Sequence, residues 1–214
     1  MGTIDQTTTG RVAVAIMSRP TALVRMLNPG SLMSLIVSLV GSVSPDSRTL
    51  ALARVATGKL AAVGALIHTI GIRDLPAEDL MLARADAPAL KEASDWVARA
   101  DGIVIATPIY KASYSGMLKT FLDMLPQYGL RGKVILPLAT GGSLAHVLAL
   151  DYALRPVLAS MGASHICESL FVLDKMMPRS AEGKIDVDPD VATRLDGILV
   201  DFTINLHYRK PPQG

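Results

Sequence analysis

Five short apolar runs recur along the chain, at residues 32–40, 65–70, 102–105, 133–139 and 164–173, and stretches with helical spacing separate or follow them. The helical stretches are 49–60, 87–100, a segment opening near Met117 with Leu118, Phe121, Leu122 and Leu125, the long 144–161, and a closing 189–206. Alternation of this kind, with no internal repeat, points to strands running parallel and crossover helices packed on both faces of one sheet. A sheet covered on both faces needs strands that are apolar throughout, and L-M-S-L-I-V-S-L-V and G-I-V-I read that way.

A chain of 214 residues, half of them hydrophobic and 19% charged, suits one α/β domain with a sizeable core. The expected division is an extension over residues 1–31, a domain over 32–208 and a tail over 209–214. The net charge of +2 is small and unclustered, and the few aromatics are not interleaved with basic residues, which excludes a nucleic-acid platform. Arg11, Arg19 and Arg25 ahead of the apolar residues 32–43 imitate a secretory leader, but that stretch is too short to span a membrane and serves better as a first strand. A single cysteine, Cys167, allows no internal disulfide and suits a reducing cytoplasm; within the apolar run 166–173 it reads as core.

Chemistry gathers where strands end. The first strand runs into G-S-V-S-P-D-S-R-T, Gly41 to Thr49, at the start of a helix. Free N–H groups and the positive dipole end at a helix start make an anion cradle, to which Ser42, Ser47 and Thr49 add hydroxyls and Arg48 a countercharge. An ordinary capped turn, with Asp46 or Ser47 as N-cap, reads equally well from these residues alone. Neither a dinucleotide fingerprint nor a P-loop is present, so the cradle suits a monophosphate.

The third run leads into A-T-P-I-Y-K-A-S-Y-S-G, where Pro108, lacking an N–H, is expected to stop the strand. Beyond it lie Ile109, Tyr110, Lys111, Ser113 and Tyr114, a concentration of polar groups at a carboxyl end. The fourth run ends in Thr140-Gly141-Gly142-Ser143; the glycines let backbone approach a flat ligand, and Ser143 can cap the next helix. The loops after strands one, three and four meet at the switch point of a flavodoxin-like sheet, five-stranded, parallel, doubly wound in the order 2-1-3-4-5 and layered α/β/α. No residue set has metal-ligand spacing; His68 and Trp96 read as structural, and His146 as a packing or hydrogen-bonding residue.

From Gly41 to about Leu173 the chain resembles the NADPH-dependent FMN reductase family, in particular the small reductases of alkanesulfonate assimilation. The segments that carry the resemblance are G-S-V-S-P-D-S-R-T, A-T-P-I-Y-K-A-S-Y-S-G, L-A-T-G-G-S-L-A-H and D-Y-A-L-R-P-V-L. Where the family often has Pro and Arg, this chain has Val43 and Ser44.

The resemblance implies that Ser42, Ser47, Arg48 and Thr49 hold the FMN phosphate, that Pro108, Ile109, Tyr110 and Lys111 flank the flavin, and that Thr140, Gly141 and Gly142 meet its other edge. Backbone N–H groups near Tyr110 to Ser113, or Gly141 to Ser143, would face the charge on reduced flavin. Tyr114 falls where the sulfonate subgroup resembles a helix with one inserted residue, a π-type bulge tied to tetramer contacts. The implied reaction is hydride transfer from NADPH, or NADH, to FMN, with no protein nucleophile or acid-base pair. Reduced FMN would pass to a flavin-dependent monooxygenase, and the protein would be a cytoplasmic homo-oligomer, dimer or tetramer. Two other readings stay open, a quinone or azo reductase that retains FMN and a flavodoxin-type electron carrier.

Overall fold

The computed structural model describes residues 34–209. The expected extension over 1–31, residues 32 and 33 of the expected first strand and residues 210–214 lie outside them. In chain order the strands are Leu35–Val40 (β1), Leu66–Gly71 (β2), Gly102–Tyr110 (β3), Ser113–Tyr114 (β4), Val134–Gly141 (β5), His165–Ile166 (β6) and Leu170–Leu173 (β7). The helices are Arg48–Ala62 (α1), Ala77–Met81 (α2), Pro88–Arg99 (α3), Gly116–Met124 (α4), Arg155–Ser160 (α5) and Pro189–Arg209 (α6). The sheet order is β2-β1-β3-β5, with β6 and β7 both parallel to β5 and sharing the fifth position. That is the 2-1-3-4-5 doubly wound arrangement which the alternation implies.

Side chains alternate across the sheet and build two cores. On one face Ile36, Val40, Val104 and Leu136 pack with Leu52, Ala56 and Leu60 of α1 and with Leu195, Leu199 and Phe202 of α6. On the other, Val37, Leu39, Ile103 and Ile135 pack with Leu90 and Val97 of α3, Phe121 and Leu122 of α4, and Leu158 of α5. Lys133, 7% exposed, donates from Nζ to the carbonyls of Ala98 and Ala100 at 2.7 and 2.8 Å and so closes the end of α3.

At the other sheet edge His68 stacks on Trp96, ring centroids 3.8 Å apart, with the Arg99 guanidinium 4.0 Å from the Trp96 centroid. This is the structural role expected of both rings.

Four expectations need correction. First, β3 does not stop at Pro108 but pairs with β5 as far as Pro108↔Thr140 and continues to Tyr110. The Gly41 N–H donates to the Ala106 carbonyl, so Ala106 turns its polar groups toward β1. Pro108, two residues on, faces the same way, where pairing with β1 has already ended at Val40↔Ala106. Its missing N–H therefore costs no ladder bond.

Second, Tyr114 is not on a helix. Lys111 and Ala112 both take positive φ, 48° and 61°, and this tight reversal folds Ser113 and Tyr114 back on Tyr110 and Ile109. Tyr114 is buried against Leu150 and Leu154, and burial pushes its phenol pKa up.

Third, the helix expected over 144–161 is broken. A 3-10 turn at Leu144–His146 is followed by a π-helical turn at Leu150–Leu154 and only then by α5. Pro156 has no N–H for the Tyr152 carbonyl one turn back, which accounts for the widened turn.

Fourth, the fifth strand is interrupted between Ile166 and Leu170. There Arg155 donates to the carbonyls of Ile166 and Cys167 at 3.2 and 3.0 Å. Between β2 and α3 the chain forms a 3-10 turn at Ile72–Asp74 and α2, with Ile72 and Leu80 in the core.

Candidate functional site

The loop after β1 is drawn tight against the loop after β3. Ser115 caps α4 by accepting the Leu118 N–H at 3.2 Å, and its hydroxyl donates to the Gly41 carbonyl at 2.6 Å. A Cβ on Gly41 would stand 2.9 Å from both Leu118 Cβ and Ser115 Oγ, so only glycine lets the two loops meet. Ser47 then caps α1, its Oγ accepting the Leu50 N–H at 3.0 Å. The first N–H groups of α1 lack intrahelical acceptors and open onto the space between the loops.

Cations come from two directions. Arg48 is steadied by its Nε, which donates to the Met177 carbonyl at 2.8 Å. Arg179 is held by Nη1 donating to the Gly183 carbonyl at 2.8 Å and Nη2 donating to the Asp46 carbonyl. Thr49 and Thr140, both buried, join their hydroxyls at 2.7 Å and tie the start of α1 to the end of β5.

A groove of about 410 Å³ lies where these loops meet, a size within the usual range for small-molecule sites. Its wall takes in Ser42, Ser47, Arg48 and Thr49 from the first loop, Pro108, Ile109 and Tyr110 from the second, and Thr140, Gly141 and Gly142 from the third. Lys111, Ser113 and Tyr114 are not in the wall. The reversal at Lys111 leaves that side chain exposed, and the hairpin turns Tyr114 into the core. His146, in the 3-10 turn after the third loop, does not line the groove either.

Four wall residues were missed by sequence reasoning, namely Ser44, Asp46, Asp174 and Arg179. Arg179 belongs to the charged loop 174–188 and reaches the groove through an antiparallel bridge between Arg179 and Ile185. No spacing in the chain signals it. Among the described residues the wall contains neither His nor Cys, so it offers backbone, hydroxyls and charge but no nucleophile with a base beside it.

The sequence profile of the family described as NADPH-dependent FMN reductase matches residues 34–177. The chain belongs to this family. The reductase is 42% identical to "FMN reductase (NADPH)" of Escherichia coli strain K12, over 81% of this chain and 91% of that one. It is 46% identical to the protein of the same description from Pseudomonas putida strain KT2440, over 83% and 91%. Among solved structures it resembles an apo NADH:FMN oxidoreductase (EMOB), with a TM-score of 0.73 and 45% identity across 80% of this chain and 89% of that one. A Streptococcus pneumoniae flavodoxin, TM-score 0.52 and 16% identical over 83% of this chain and 100% of its own, shares the fold. The reductase is thus a flavodoxin-like oxidoreductase of a family that uses FMN with NADPH or NADH.

Proposed function

We propose that the reductase oxidises NADPH or NADH at the expense of FMN held in this groove, and releases reduced FMN to a flavin-dependent monooxygenase. The observation that carries the reading is the convergence of three strand-end loops on one groove with an anion pole at one end. Ser42, Ser47, Thr49, Arg48 and the first amides of α1 fit a phosphate, and Arg179 adds a second cation where Ser44 stands in place of the family's frequent arginine. The extended Pro108-Ile109-Tyr110 and Thr140-Gly141-Gly142, at the ends of neighbouring strands, fit the edge and face of a flat ring system.

Bound FMN supplies the hydride acceptor. The chain's own residues position it: Arg48 and Arg179 neutralise its phosphate, the paired Thr49 and Thr140 hold two loops at fixed separation, and Gly141 and Gly142 keep one side free of bulk. Amides near Gly141 to Ser143 remain the donors for charge that builds on the ring. Lys111, Ser113 and Tyr114 act one step removed, by setting the hairpin that presents Tyr110.

Leu144, Val147, Leu148 and Tyr152 are exposed beside the third loop, Tyr152 by 79% and Leu144 by 64%. A strip of this kind supports a homo-oligomer, dimer or tetramer. No helix among the described residues is long and apolar enough to cross a membrane.

Oxidation of NADPH on mixing the purified protein with free FMN, followed by loss of reduced-nicotinamide absorbance, tests the activity. Sequential kinetics with FMN released support delivery to a partner. Ping-pong kinetics with retained yellow colour point instead to a quinone or azo reductase, and flavin binding without nucleotide oxidation to an electron carrier.

A further inference from the structure

At the rim of the sheet opposite the groove, β6 begins beside Val134, the first residue of β5. His165 and Cys167 stand two residues apart on this extended segment and so share a face. Cys167 packs there against the core that includes Leu195, Leu199 and Phe202 of α6. Asp201, on the same helix, lies beside the Cys167 side chain. Donor atoms of His165, Cys167 and Asp201 all lie within 4.8 Å of one another.

Two features separate this cluster from ordinary packing. The Nε2 atom of His165 is shielded from solvent yet has no hydrogen-bond partner among the described residues, a situation that costs free energy unless something fills it. The donors are also chemically mixed. An imidazole nitrogen, a thiol sulfur and a carboxylate oxygen form a set that Zn²⁺ accepts and that hard, oxygen-seeking cations do not favour.

We propose that His165, Cys167 and Asp201 bind one divalent cation of the zinc class. The cation forms a bond to Sγ as the thiol proton leaves to solvent; nothing is oxidised or reduced. Three protein ligands leave a fourth position for water, reached from the side on which Asp201 is exposed. The bound ion clamps α6 to the interrupted fifth strand, at the break where Arg155 already replaces the missing ladder bonds. Its role is structural and independent of the flavin groove.

The test uses the full chain, freed of metal with a chelator and desalted, then titrated with Co²⁺ as a spectroscopic probe and with Zn²⁺. One equivalent should bind, with a cobalt–thiolate charge-transfer absorption. Zn²⁺ at a hundredfold excess over its Kd should raise the unfolding midpoint by roughly 5–10 °C. Cys167→Ser should abolish the charge-transfer band, and Asp201→Asn, at an exposed position, should weaken binding at least about tenfold without loss of fold. If Cys167→Ser fails to fold, His165→Gln and Asp201→Asn decide the matter. Cobalt binding with no thiolate band, or equal affinity in the wild type and Asp201→Asn, overturns the site. FMN-dependent NADPH oxidation should be the same in wild type and Asp201→Asn, so failure of the metal site and failure of the reductase reading are separately visible.

Discussion

Thr49 Oγ1 and Thr140 Oγ1 lie 2.7 Å apart, buried, one at the start of α1 and the other near the end of β5. Ninety-one positions separate them in the chain, yet this contact joins the first loop of the groove to its glycine-bearing wall. Thr49→Val leaves the Thr140 hydroxyl without this partner, and a stranded buried hydroxyl costs about 1–3 kcal/mol. Unfolding midpoints and FMN titrations should both register the change. Thr49→Val/Thr140→Val should lose less than the sum of the single variants, since the second change removes a group already left without its mate.

Arg48 and Arg179 approach the same end of the groove from α1 and from the loop after β7. Arg48→Ala should weaken FMN binding by about 1.5–3 kcal/mol, the range for a hydrogen bond to a charged group. Arg179→Ala should act in the same direction and also free the Asp46 loop from its backbone anchor. Fluorescence titration with FMN against riboflavin is the check. Both losses should vanish for riboflavin, which has no phosphate, and an equal loss for the two ligands would sink the anion-pole assignment.

Lys111 and Ala112 hold left-handed conformations that favour glycine and asparagine. Ala112→Gly should relieve the strain at one of them. After the entropy that glycine costs, the net gain is about 0.5–1 kcal/mol, measurable as a higher denaturation midpoint. The groove wall at Pro108 to Tyr110 should keep its affinity for FMN.

His68 sits against Trp96, where burial, opposed by Glu92 and aided by Arg99, holds the imidazole pKa below its ordinary value. The folded state thus prefers the neutral ring. As pH falls through the ordinary histidine pKa of about 6.5, the unfolded chain takes up a proton first and stability declines. His68→Gln should show a smaller fall in unfolding midpoint between about pH 7.5 and 5.5 than the wild type. Trp96 is the chain's one tryptophan, so its emission reports the same titration.

The central strands β1, β3 and β5 were legible because both faces of the sheet are covered there, which makes each a nearly continuous apolar run. The caps at Ser47 and Ser143 were legible for a local reason, a hydroxyl just ahead of a helical turn. What escaped depends on neighbours that are distant in sequence. Pro108 continues β3 because β1 happens to end first, and that cannot be read from Pro108 itself. The reversal at Lys111 and Ala112 contains no glycine, so Tyr114 gave no sign of folding back into the core. Arg179 reaches the groove from 133 positions beyond Asp46, whose carbonyl it holds. The break in the fifth strand is written in Arg155, which stands before it in the chain but bonds across it.

Pro108 also shapes the edge of the groove. Its ring leaves no amide for a neighbouring segment to pair with just past the last β1 pair, Val40↔Ala106. The groove wall at Pro108 therefore carries no ladder bond toward β1. A ligand entering there would meet a wall set at this point by a ring and not by a hydrogen bond that must first break.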